Sequence, residues 1–211
     1  MSKAILNIEA YKSAETAPDI SVTGSAAGSG DMEPAAWAHV VPNADNALVL
    51  KSESTGLGPD AEYVQVAIMT VRGTTIMSTF LRPSRPIPPA ATAVNGIDDA
   101  AVVNAPTFVQ AYKDLVKAIQ GRVVVAYNAE FEQRMLVQTC LHYRLPVPQA
   151  TWHCAMRAYA EMVGEESPSG SYLWQPLPRL QARQGEGRAL TGCRSILELL
   201  KSMSLCRGAR Q

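Results

Sequence analysis

The stretch Leu48-Val49-Leu50-Lys51-Ser52-Glu53-Ser54-Thr55-Gly56-Leu57-Gly58 constrains this chain more than any other. Its apolar entry and its polar, glycine-containing exit describe a β-strand ending in a turn that presents short polar groups. A second strand is expected over Glu62–Val71, and Arg72-Gly73 reads as a turn into a third over Thr74–Leu81. Three strands joined by short turns predict an antiparallel meander. Alternation along the first strand puts Lys51 and Glu53 on one face.

Beyond the meander, the prolines of 82–89 exclude a helix or a central strand there. Phe108, Tyr112, Leu115 and Ile119 keep helical spacing over Thr107–Ile119, and Gly121 stops that helix. Arg122–Tyr127 is a short β-branched strand of the kind that helices cover on both faces. Asn128-Ala129-Glu130-Phe131-Glu132 opens a further helix running to about Leu141, and a last helix is expected over Ser195–Met203.

With 211 residues and 47% hydrophobic content, the chain can bury one sizeable core. Residues 1–46 hold a short apolar patch (Ile5, Leu6, Ile8) and then an Ala/Ser/Gly/Pro-rich run with little to bury. They are expected to form a flexible or partner-docking arm ahead of a domain at 47–205, with a tail at 206–211. The arm carries 2 basic and 6 acidic side chains, whereas 179–210 carries 7 basic side chains against 2 glutamates. The basic end could face phosphate, although a solvated helix face is the preferred reading. No apolar run reaches membrane-span length, and the N-terminus lacks the basic-then-apolar order of a secretory signal, so a cytoplasmic setting without membrane contact is expected. Cys140, Cys154, Cys193 and Cys206 have no zinc-type spacing and read as buried or half-buried thiols.

Taken together, three of these segments resemble the motifs of the DnaQ-like (DEDD-type) 3′–5′ exonucleases. The first motif is an apolar strand running into Asp-x-Glu-Thr-Thr-Gly. Glu53, Thr55 and Gly56 match it, Ser54 is a mild change, and Lys51 stands at the first metal-binding aspartate. The second, Asn-Ala-x-Phe-Asp, is matched by Asn128 to Phe131, with Glu132 at the aspartate. The third, His-x-Ala-Leu-x-Asp, keeps its frame in Arg188, Ala189 and Leu190, but Gly187 replaces the histidine and Gly192 the aspartate. Val94-Asn95-Gly96-Ile97 resembles the family's His-Gly-Ile loop, with Asn95 at the histidine, and the likeness continues through Pro146, Trp152–Met156 and Tyr172–Trp174. The resemblance implies an α/β ribonuclease H-like fold with a central mixed β-sheet flanked by helices.

The family's reaction uses two divalent metals, clustered carboxylates to hold them and a histidine as general base. Carried over, Glu53 and Glu132 remain, while Lys51, Gly187 and Gly192 lack the required groups. No shift of alignment restores them, because the last aspartate is Asp114 and the only histidines are His39, His142 and His153. At ~4 Å two unit charges interact by about 4 kcal/mol at an effective dielectric of ~20, and a divalent ion doubles the repulsion from Lys51. The expectation is therefore a protein without catalytic or metal-binding residues and without a cofactor. It would act by binding a nucleic-acid end, or a protein partner in a nucleoprotein or replication complex. Thr55, Gly56, Leu57 and Asn128 are the expected nucleotide contacts.

Two alternatives stand beside this. One is an active exonuclease using Mg or Mn with Glu53, Glu132 and Glu186. The other is a protein-interaction scaffold without nucleotide contact. Singly, each residue has an ordinary explanation: a surface acid, a snorkelling lysine, a plain turn. The three ordered motif frames argue against that explanation for all of them at once. Packing roles are expected for Cys193, His153 and Trp174, and helix-end, surface or phosphate roles for Arg188 and Arg194. Lys51 is expected within salt-bridge reach of Glu53 or Glu132.

Overall fold

The structure, a computed structural model, describes residues 32–41, 44 and 46–206. Its centre is β1 (Ala47–Ser54), whose first four residues are all buried. β2 (Tyr63–Thr70) pairs antiparallel with β1 and is buried along all but its last residue, which is why it reads as one unbroken apolar run. β3 (Thr75–Phe80) pairs antiparallel with β2 at the edge, and Gly73 turns between them with φ +89°. This is the expected meander.

The chain then runs through three helical segments, α2 (Pro89–Asn95), α3 (Asp99–Val102) and α4 (Phe108–Ile119). Thr107 and Gln110 form a capping box at the start of α4. β4 (Val123–Ala126) follows, parallel to β1, and β5 (Thr151–Cys154) is parallel to β4, giving the order β3-β2-β1-β4-β5. Between them runs α5 (Ala129–His142), and after them come α6 (Ala155–Val163) and α7 (Arg188–Leu205). The mixed sheet flanked by helices is the expected ribonuclease H-like fold.

Alternation along the strands divides the core. Leu48, Leu50, Val66 and Ile68 pack with Phe108, Leu115, Met135 and Leu136 on one face. Val49, Ala67, Met69 and Val125 pack with Cys193, Ile196, Leu200 and Met203 of α7 on the other.

Several expectations need correction. Part of the 1–46 arm belongs to the folded body: α1 (Pro34–Val40) seats Trp37, 2% exposed, in the α7-side core, and the Trp37 indole N–H donates to His153 Nδ1 at 3.4 Å. Glu33 caps this helix and Pro34 starts it. One indole, with the buried Ala35 and Ala38 beside it, supplies most of the apolar volume of this helix. The apolar patch at Ile5–Ile8 lies outside the described residues. The last helix begins at Arg188, not Ser195, so Gly192 sits inside it. Cys206 is exposed while the other three thiols are buried, and Trp174 is 55% exposed, so neither residue packs as expected. Among the described residues no helix is long and apolar enough to cross a membrane.

Trp37→Ala should cost about 3–5 kcal/mol, the range for emptying a buried aromatic site. In thermal denaturation, a chain starting at residue 47 should melt well below one starting at residue 32. Equal melting points would return α1 to the arm.

Candidate functional site

The C-terminal end of β1, the first turn of α5 and the first turns of α7 converge beside the sheet. Glu132, on α5, has no exposed surface. Its Oε1 accepts the Ser52 backbone N–H at 3.2 Å and its Oε2 accepts the Ser52 hydroxyl. The Lys51 ammonium lies 3.3 Å from Glu132 Oε1 and 3.8 Å from Glu53 Oε1, and it also donates to the Ser52 carbonyl. The expected salt-bridge reach is therefore met for both carboxylates. Burial pushes the Glu132 carboxyl up from its ordinary value, and the Lys51 charge and the Ser52 hydrogen bonds oppose that rise without cancelling it. A second cation approaches from α7, with Arg188 Nε 3.3 Å from Glu53 Oε1. Arg188 thus has a specific ionic partner.

Both glycines of the third motif face filled space. A Cβ on Gly192 would stand 2.8 Å from Lys51 Cγ. The lysine stem occupies the room a side chain at 192 would need. A Cβ on Gly187 would stand 2.8 Å from Gln65 Cδ and nearer still to Nε2. Gln65, 1% exposed, sits opposite Glu53 in the β1–β2 register, and its Oε1 accepts the Ala189 N–H at 2.9 Å, which satisfies one free donor of the α7 N-terminus. Sequence reasoning missed Gln65 and Ser52. The available signal for Gln65 was a lone amide within the apolar run Tyr63-Val64-Gln65-Val66-Ala67-Ile68-Met69.

The turn after β1 is held from several sides. Thr55 N–H donates to the Glu62 carbonyl and Thr55 Oγ1 accepts from Glu62 N–H, both at 2.9 Å. The Ser54 hydroxyl donates to the Gly56 carbonyl at 2.7 Å, and Arg134 donates to the Leu57 carbonyl at 3.1 Å. Asn95 ties the C-terminal end of α2 to this turn, its amide donating to the Ser54 carbonyl at 3.0 Å. Thr55, Gly56 and Leu57 are half-buried beside Lys51 and Glu53. Asn128 is the N-cap of α5: it adopts φ +62° and its Oδ1 accepts the Phe131 N–H at 3.3 Å. Glu186 faces α7, where Arg194 binds it through Nε at 2.7 Å and through a second guanidinium nitrogen, and where the Thr191 hydroxyl donates at 3.0 Å.

The sequence pattern of the exonuclease (RNase_T) family matches residues 48–198, spanning every motif just described. The chain belongs to this exonuclease family. It is a DnaQ-like member of the ribonuclease H-like superfamily. An uncharacterized exonuclease of Escherichia phage 186 is 33% identical over 172 residues, 76% of this chain and 89% of the phage protein. A DNA polymerase III subunit epsilon-like protein of Rhodobacter capsulatus is 38% identical over 96 residues, 42% of this chain but only 14% of that protein. Among solved structures, exonuclease X in complex with 5′-overhanging duplex DNA has the same fold, with TM-score 0.52, 23% identity and coverage of 78% of this chain and 94% of that one.

Two outcomes are expected from this exonuclease-fold site. An alanine at a helical glycine normally stabilises by about 0.5–1 kcal/mol. Gly192→Ala should instead destabilise the native protein and regain the normal sign in a Lys51→Ala background. Additivity of the two changes in denaturant titrations would show that the Lys51 stem does not fill that space. The second outcome concerns pH. The hydrogen bonds from Arg194 lead in lowering the Glu186 carboxyl from 4.5 to about 2. A group depressed on folding stabilises above its unfolded value and loses that contribution as pH falls through its folded value. The stability gap between the native protein and Glu186→Gln should therefore be full at neutral pH, shrink below ~4.5 and close near ~2.

Proposed function

We propose that this exonuclease-fold protein does not cleave, and that it acts by holding a nucleic-acid end within a nucleoprotein or replication assembly. One observation carries the reading: the Lys51 ammonium stands between Glu53 and Glu132, where the family's metals would need free carboxylate oxygens. A pair of divalent cations does not fit this donor set. Each of the two carboxylates already faces a cation, and among the described residues no three His, Cys, Asp or Glu side chains cluster as metal ligands. The general base has no counterpart either, since the Gln65 carboxamide fills the space beside Gly187 and an amide cannot accept a proton from water at neutral pH. Glu186, the remaining acid of the active alternative, is bound to Arg194.

The binding half of the site has support of a different kind. The Ser54–Leu57 turn is fixed by hydrogen bonds to Glu62, Asn95 and Arg134, so it is organised without any ligand. A preorganised turn loses little freedom when it takes a terminal nucleotide. The solved exonuclease X complex holds duplex DNA on this fold, and the polymerase-subunit name of the Rhodobacter relative favours a replication setting. The active alternative rests on the exonuclease name of the phage relative.

With Mg2+ or Mn2+, the purified protein should leave single- and double-stranded DNA and RNA intact. In EDTA it should still retain a fluorescent 3′-ended single strand by anisotropy, and Leu57→Ala should weaken retention several-fold. Shortening from the 3′ end that needs metal and is lost in Glu53→Ala would establish the active alternative. An intact strand that is not retained would leave the scaffold reading.

A further inference from the structure

We infer that Lys51 is a resident cation: its ammonium holds Glu53 and Glu132 in the way a divalent ion would, and thereby closes the site to divalent ions. This deepens the non-cleaving reading above and rests on it.

The geometry supports both halves of the statement. Lys51 Nζ lies 3.3 Å from Glu132 Oε1 and 3.8 Å from Glu53 Oε1, so one positive centre bridges carboxylates from two different elements, β1 and α5. An ion bridging the same two oxygens would lie no more than about 5.4 Å from Nζ and meet its charge at close range, because magnesium takes its oxygens at ~2.1 Å. Other donors crowd these carboxylates as well. Ser52 serves Glu132 through its N–H and its hydroxyl, and Arg188 Nε reaches the same Glu53 oxygen at 3.3 Å. The lysine cannot easily swing clear. Its stem packs against Gly192, where Cβ, Cγ and Cδ all fall within 3.5 Å of a side-chain position, and its side chain is only 23% exposed.

Placement also argues against a drifted surface lysine. Such a residue would point its ammonium to water. This one turns toward a carboxylate with 1% side-chain exposure, and a buried charge of that kind needs a compensating partner. In this protein, Lys51 supplies it.

The test uses the full chain stripped with EDTA, titrated with MnCl2 by calorimetry and melted with and without Mn2+. The native protein should give no binding heat at this site and an unchanged melting temperature. Lys51→Met keeps the stem over Gly192 and removes the charge. It should melt several degrees lower in EDTA and gain a melting rise with Mn2+ that Glu53→Gln abolishes. Lys51→Arg should behave as the native protein does. A native Mn2+ heat that disappears in Glu53→Gln would overturn the inference, as would Lys51→Met that matches native stability or stays indifferent to Mn2+. If Lys51→Met does not fold, the native calorimetry alone decides between the two. None of these readings involves nuclease activity or nucleic acid, so failure to retain a DNA end would sink the proposed function and leave this result standing.

Discussion

A carboxylate with no exposed surface is the constraint around which this site is built. Glu132 lies at the start of α5, where the helix dipole favours negative charge, yet burial still works against ionisation. Its two oxygens are answered by Ser52 and Lys51, consecutive residues of β1 whose side chains leave opposite faces of the strand. That arrangement clamps the end of β1 to α5 and so fixes where the Ser54–Leu57 turn begins. Tyr63 of β2 adds a further tie by donating to the Glu132 carbonyl at 3.3 Å.

The second half of the site follows from how α7 is seated. A helix that opens at Arg188 beneath β1 and β2 must find partners for its first N–H groups, and Gln65 supplies one from the sheet. The close approach this requires leaves no room at Gly187, and the lysine stem leaves none at Gly192. Cys193, one residue on, lies against the Val49 and Ala67 carbonyls and keeps the helix near the strands. Steric fit and charge compensation are consequently joined in one side chain: the same Lys51 that answers Glu132 also sets the space at 192.

Much of the fold was legible because its signals are local. β1 and β2 are apolar runs, Gly73 marks their hairpin partner, and the Thr107–Gln110 capping box opens α4. The carboxylates and the lysine of the site were legible through the motif frames. What escaped depends on contacts far apart in sequence. α1 is held by one tryptophan in a stretch whose composition otherwise suggests a linker, and its partner His153 is 116 positions away. The start of α7 was expected later, at Ser195, and nothing in Gly187 or Gly192 says that Gln65 and Lys51 fill their absent side chains. Trp174 offered only hydrophobicity, which does not distinguish a packed indole from an exposed one.

The filled space at Gly192 also bears on which neighbouring sequences this protein can reach by single changes. An aspartate at 192 would collide with the lysine stem, while an aspartate at 51 would set a third acid beside Glu53 and Glu132 and remove the ammonium that faces both. A histidine at 187 would likewise have to evict the amide that caps α7. Each single step toward an acid-rich site thus lowers fitness for folding before the next step can repay it. Positions 51 and 192 are therefore coupled in sequence space through the contact of a lysine methylene with a helical glycine.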